Sequence, residues 1–278
     1  MMTTVPRHHV PTAEPEEYVE MLAEEAAEAI EYLDLAEAFG TTLAAAQGRS
    51  IVDPSAADEE TWRSYVTAAE VGAALFAAAP ADAGAVISRV IAETEREIAT
   101  TGPQPHADAA TWRTAFWLAI VCRDRDKATL LADIPIALLR KSEAICDAYI
   151  YDWADTLRTY WHGDPDRTLG DKLVAAVEGC APSAVQIIDA EQALKLVHPP
   201  MNLFYHLVRQ DQDGFNAALA EALESHRSFY SGERAIQIQG LVPIELLAIA
   251  CLGHEAGLSV EVESDYLPAH LVRGKPFG

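Results

Sequence analysis

The sequence predicts an all-α protein: a compact stack of helical hairpins with degenerate repeat character, as in tetratricopeptide or α-solenoid folds, with at most one short C-terminal strand. Apolar residues recur at steps of three and four through most of the chain, which is the helical period. Half of the 278 residues are hydrophobic, enough for a sizeable core without disulfides. Segments 58–63 and 108–113 also share the pattern Asp-x-x-Thr-Trp-Arg, which suggests repeated helix starts.

Residues 1–14 are expected to be a disordered leader, because prolines punctuate it and no periodicity runs through it. His8 and His9 have no neighbouring carboxylate or thiol, so they do not predict a metal site. No basic start followed by an apolar run marks a secretory signal, and no charge-free apolar run is long enough to span a membrane. These observations predict a cytoplasmic protein that does not bind membranes.

The segment from Glu14 to Glu37 carries ten acidic residues and no basic one, yet an apolar stripe still predicts a helix. No lysine follows any of its glutamates at a distance of four residues, so no stabilising ion pair can form along the helix. The glutamates, among them Glu24, Glu28 and Glu31, instead repel one another by tenths of a kcal/mol. Two interpretations stay open. The face is either an ordinary solvated surface or a surface that uses its charge to bind a partner.

The middle of the chain reads as further helices within a single all-helical domain, residues 15–278. Asp58 and Asp108 are natural N-caps, and the tryptophan four residues after each is expected to anchor packing. The predicted helices are Ile134–Trp161, Leu169–Glu178, Ser183–Val197, Met201–Gln210 and Phe215–Tyr230. A soft boundary falls near residues 163–170, and the pair Pro199–Pro200 is expected to break two helices apart.

No catalytic or metal-binding pattern is present in the sequence. Asp211-Gln-Asp-Gly resembles the start of a calcium loop, but the glutamate that should close the loop is replaced by Ala222. Glycine-rich phosphate loops, nucleophile elbows and zinc motifs do not occur. The sequence therefore predicts a protein that is not an enzyme and needs no metal or other cofactor.

The C-terminal region pairs a helix that is apolar at nearly every position with an acidic, alternating segment. Val260 and Val262 alternate with Glu261 and Glu263, which favours a strand with one wet, negative face. Cys251, His254, Gly257 and the run Val262-Glu-Ser-Asp-Tyr-Leu-Pro268 resemble the family-49 immunity proteins of bacterial polymorphic toxin systems. The resemblance implies a cytoplasmic, all-helical, non-catalytic protein that neutralises a cognate toxin.

Charge indicates which kind of partner to expect. The formal net charge is −23, which repels nucleic acid and anionic membranes and attracts a basic protein surface. The predicted partner is a cognate protein toxin with a basic active-site face, covered by an acidic surface with one aromatic anchor. That surface is expected to comprise Glu24, Glu28, Glu31, Glu261, Glu263, Asp265 and Tyr266. The alternative is a helical-repeat adaptor or regulator that binds a peptide or protein partner in a concave groove.

Overall fold

A computed structural model of the chain describes residues 2–80, 83–163 and 166–274, without the side chains of 166 and 167. It confirms the all-α prediction. The first part of the chain forms β1 (Thr3–Thr4), α1 (Pro15–Tyr32), α2 (Leu35–Arg49), α3 (Glu59–Ala78), β2 (Val86–Ile91) and β3 (Thr94–Ala99). Then follow α4 (Ala109–Val121), α5 (Arg125–Ala132), α6 (Ile136–Arg140), α7 (Tyr149–His162), α8 (Asp166–Gly179) and α9 (Ala190–Gln192). The last part forms a π-helical segment (Ala193–Val197), α10 (His198–Val208), α11 (Gln212–Phe229), 3-10 turns at Gly232–Ile236 and Ile238–Gly240, α12 (Ile244–Glu255), β4 (Val262–Glu263) and α13 (Ala269–Arg273).

The helices α4 and α12 form the centre of the core. Both are apolar on nearly every side and pack against each other, with α3 against α4 and α10 against α12. The largest fully buried side chains include Trp112 and Trp117 on α4 and Trp153 on α7. One cluster of buried apolar residues extends from Val5 to Val272. The predicted single-domain organisation stays a prediction, and its soft boundary lies partly outside the described residues, at 164 and 165.

One stretch, Ile238–Glu255, is long and apolar enough to cross a membrane by length and composition. It includes the whole of α12, and 72% of it is buried inside the fold. Such burial is what a central core helix requires, since a helix that is hydrophobic all round must be covered on all sides.

Arg123 fastens the C-terminal segment to the end of α4. Its guanidinium donates to the carbonyl oxygens of Leu271, at 2.5 Å, and Val272, at 2.7 Å. The same side chain bonds a carboxylate oxygen of Glu255 at 2.9 Å. Because one cation satisfies backbone carbonyls that lie almost 150 residues away, α13 is held beside α12.

Two predicted helices are each broken in the structure. The acidic helix ends at Tyr32, where Leu33 takes a positive φ of 56°, and Asp34 then caps α2 by accepting from the amides of Ala36 and Glu37. The predicted helix Ile134–Trp161 is instead α6 and α7. Between α6 and α7 the carboxylate of Asp147 accepts hydrogen bonds from the backbone N–H groups of residues 186–188. A continuous helix through residue 147 would not place this carboxylate against that loop.

The predicted break at Pro199–Pro200 is wrong. The two prolines lie in the first turn of α10, where their missing N–H groups cost little, and the π-helical segment leads directly into that turn. The predicted caps are partly confirmed. Asp108 accepts from the amide of Thr111 at 2.7 Å, whereas the side chain of Asp58, at the cap position of α3, makes no capping hydrogen bond.

The sequence predicted a disordered leader. In the structure, the described residues of the leader are instead ordered. β1 pairs in parallel with β4, Thr3 opposite Val262 and Thr4 opposite Glu263, which also confirms the short C-terminal strand. Val5 is buried directly after it. The leader therefore gains backbone hydrogen bonds and apolar burial from a segment more than 250 residues away, which local sequence does not reveal.

A β-hairpin between α3 and α4 was missed by the sequence analysis. β2 and β3 pair in antiparallel fashion from Val86 opposite Ala99 to Ile91 opposite Thr94. Its two-residue loop is Ala92–Glu93, with positive φ values of 50° and 63°. Positive φ at both loop positions is the type I′ geometry, for which Asn-Gly is the usual sequence. The sequence did not predict this turn because neither Ala92 nor Glu93 is a residue that favours turns.

The loop generates a stability prediction. Replacing Ala92 by Asn and Glu93 by Gly should raise the free energy of unfolding by about 1 kcal/mol, because a left-handed conformation costs Ala and Glu more than Asn and Gly. The melting temperature should rise by about 2–4 °C. Glu93→Ala alone is the control, since it keeps the strained φ and removes only an exposed charge. Equal melting temperatures for the double variant and wild type would show that this loop carries no strain.

Candidate partner-binding surface

The outer face of α1 is negatively charged along its length. Val19, Leu22 and Ala26 are among the residues that turn inward, against α2. The exposed acids are Glu16, Glu17, Glu20, Glu24, Glu25, Glu28 and Glu31. Among the described residues, Glu31 is the only one of these acids within ion-pair distance of a basic side chain, Arg96 at 2.8 Å. The other charges are thus not neutralised within the described part of the chain.

Two large apolar side chains are exposed on the same helix. Met21 is 43% exposed and Tyr32 is 77% exposed. Tyr32 stands one turn after Glu28, and Met21 stands one turn before Glu25, so both adjoin the acidic face. An exposed tyrosine beside charges has the composition of an interface anchor. Tyr32 was not among the side chains predicted to bind a partner, although its position four residues after Glu28 places it beside the acidic face.

Arg96 joins α1 to the hairpin. Its guanidinium lies 2.8 Å from Glu31 and 3.5 Å from the carbonyl oxygen of Ile30, at the C-terminal turn of α1. The outward face of the hairpin adds two exposed valines and two exposed acids, Val86, Val90, Glu95 and Glu97. The acidic face of α1 is therefore continuous with an element that carries both apolar and acidic groups.

The second predicted acidic set lies elsewhere, on the C-terminal arm. Glu261, Glu263 and Asp265 are exposed, as expected. The arm is held against α11, where the side-chain oxygen of Asn216 accepts the N–H of Glu261 at 2.7 Å. It borders a groove of about 830 Å³ between β1, β4 and α13, which also contains Arg273. The structure thus places the two acidic sets on separate elements.

Tyr266, expected to be an exposed anchor, is 0% exposed, and that expectation of a surface position is wrong. Its hydroxyl accepts the backbone N–H of His8 at 3.0 Å and lies 2.7 Å from the Nδ1 atom of the same residue. The ring packs edge-on against His226, with centroids 5.0 Å apart. Tyr266 therefore fastens the N-terminal leader to the C-terminal arm, and His8 is a buried structural residue rather than part of a loose tail.

The two buried histidines near Tyr266 have lowered pKa values. Burial lowers the pKa of His226 to about 4, partly opposed by the Gly240 carbonyl oxygen, which lies 3.0 Å from its Nε2 atom. Burial likewise lowers the pKa of His8. Both rings are thus neutral at pH 7 and belong to the core.

The calcium-like motif has structural partners in the fold. No group of three or more His, Cys, Asp or Glu residues in the described part of the chain could hold a metal ion. The carboxylate of Asp211, from the calcium-like motif, caps α11 at the amide of Gly214 and bonds His206. Burial raises the pKa of the Cys251 thiol to about 11, which keeps it protonated and poorly nucleophilic.

Comparison with known proteins gives one family. The family model described as Immunity protein 49 matches residues 53–271, which begin after α2 and end within α13. No curated protein and no solved structure matches the chain.

The buried histidines predict how stability depends on pH. An unfolded histidine has a pKa of about 6.5, so below that pH the unfolded chain binds protons that folded His226 does not bind until about pH 4. The free energy of unfolding should be highest above pH 6.5 and fall toward pH 4, with His226 contributing up to about 1.4 kcal/mol per pH unit.

The measurement is urea unfolding at several pH values, with His226→Gln as the control. Glutamine keeps an N–H that can donate to Gly240 but does not titrate, so its pH dependence should be shallower than that of wild type. Parallel curves for the two proteins between pH 6.5 and 4 would contradict the assignment.

Proposed function

The chain belongs to the immunity protein 49 family, and from this membership we propose that it neutralises a cognate toxin in the cytoplasm by binding it and covering its basic active-site face. The observation that carries the proposal is the acidic face of α1, with its exposed anchor Tyr32. Binding alone accounts for protection in this mechanism, and it requires no catalytic step.

The charge of α1 favours recognition of a basic protein. A concentrated negative surface steers a positive partner and raises its association rate by about 10 to 10³ fold at low salt. A toxin that acts on a polyanion needs a basic substrate-binding face, and α1 presents the complementary charge. Rim charges mainly affect the rate of association, whereas a centrally placed aromatic side chain slows dissociation.

The position of α1 relative to the family match supports its role in specificity. The match begins at residue 53, so α1 and α2 precede the sequence that the family model covers. An element outside the shared region can differ between members that meet different partners. The arm that carries Glu261, Glu263 and Asp265 lies within the match, and it is the second surface to test.

The proposal is tested by charge reversal on the two surfaces. The triple change Glu24→Lys, Glu28→Lys and Glu31→Lys should slow association with the toxin encoded in the adjacent reading frame at least tenfold at low salt. The Tyr32→Ala change should speed dissociation. The matched comparison is Glu261→Lys, Glu263→Lys and Asp265→Lys, which alters the same amount of charge on the other surface.

Association rates are measured by stopped flow or surface plasmon resonance between about 20 and 300 mM salt, and rescue by co-expression with the toxin. The wild-type rate should fall as salt rises, because exposed charges are screened over about 10 Å at 0.1 M. A rate that is flat with salt, together with unchanged affinity in both triple variants, would overturn the acidic-surface mechanism.

A further inference from the structure

The hairpin carries an unpaired strand edge whose backbone groups can be assigned from its register. The amide of Thr100 donates to the carbonyl of Ala85, so that pair is hydrogen-bonded, and the next pair, Val86 with Ala99, is not. By alternation, Val86, Ser88 and Val90 direct their N–H and C=O groups away from β3. Among the described residues, only the Ser88 carbonyl of this set has a partner, the neighbouring Arg89 side chain.

The two edges of the hairpin differ in how they are protected. Along β3 the outward positions include Glu95 and Glu97, and charged side chains deter pairing with another strand. Along β2 the outward positions are Val86, 62% exposed, Ser88, and Val90, 53% exposed. Exposed valines at the outward positions of an unpaired edge favour addition of a further strand, and Arg89 already donates to one carbonyl of that edge, at Ser88.

From this edge we propose that β2 receives a β-strand of the cognate toxin, which extends the hairpin to three strands. The inference rests on the proposed function. The incoming strand would place apolar side chains opposite Val86 and Val90. Between them it would place a lysine or arginine, whose long side chain reaches across β2 toward Glu95 and Glu97.

Charge and position support a toxin strand as the occupant. Glu95 and Glu97 lie on the same face as the exposed valines, since Val90 opposes Glu95 and Ser88 opposes Glu97. A basic strand is thereby favoured over a neutral or acidic one. The hairpin is also linked to α1 through Arg96 of β3 and Glu31, so a toxin that is steered by the acidic helix arrives next to the hairpin.

The test uses proline substitutions at two directly opposed positions. Val86→Pro removes an outward N–H from the β2 edge, and Ala99→Pro removes the corresponding group from the β3 edge. Neither residue uses its N–H within the hairpin, so thermal melting should show both variants folded. With the toxin encoded in the adjacent reading frame, Val86→Pro should raise the Kd at least tenfold, whereas Ala99→Pro should leave it within about twofold.

Two further measurements keep the result independent of any effect of proline on folding. Val90→Lys keeps the backbone donor but charges the edge, and it should also raise the Kd. In hydrogen exchange, toxin binding should protect the amides of Val86, Ser88 and Val90 but not those of Glu95 and Glu97.

The outcomes separate this inference from the proposed function. If wild type binds the toxin and Val86→Pro binds equally well, or if the β2 amides stay unprotected, the strand-addition inference is wrong and the proposed function stands. If wild type fails to bind the toxin at all, both are wrong.

Discussion

The need to bury two largely apolar helices, α4 and α12, determines the rest of the architecture. Nearly every side of each helix is apolar, so each must be surrounded by other elements. Burying a large apolar side chain contributes about 1.5–3 kcal/mol, so the many buried side chains of this central pair contribute strongly to stability. Where other elements meet these two helices, their polar groups form hydrogen bonds. Trp153 on α7 donates to Glu245 on α12 at 2.6 Å, and Arg123 closes the other end.

The surface elements have more freedom than the core, and they carry the features of a binding protein. α1 buries only a narrow stripe against α2, and its acidic face contributes repulsion rather than helix-stabilising ion pairs. The hairpin keeps a loop in a conformation that its residues disfavour. Both elements lie outside the central helix pair and contact each other through Arg96. The two neighbouring elements thus present charge and exposed apolar groups outside the central core.

Local patterns in the sequence were enough to predict the fold class, the existence of most helices and the sign of the surface charge. These follow from local information, namely the 3.6-residue period, the N-cap residues and the excess of acids. The family resemblance was also visible, in the run from Cys251 to Pro268, and the match to residues 53–271 confirms it. Helix ends were less predictable, because the break at Leu33 and the path through Pro199 depend on single backbone conformations.

Which of the predicted partner-binding side chains reach the surface depends on contacts between distant segments. Tyr266 has acidic neighbours in the sequence, as an aromatic interface anchor would. It is nevertheless buried in the core, where its hydroxyl accepts the backbone N–H of His8. Tyr32, in contrast, is exposed. The hairpin and the pairing of β1 with β4 were equally hidden. Strand pairing and the burial of polar groups depend on contacts between distant segments. Helical periodicity, in contrast, can be recognised from the consecutive residues of one segment.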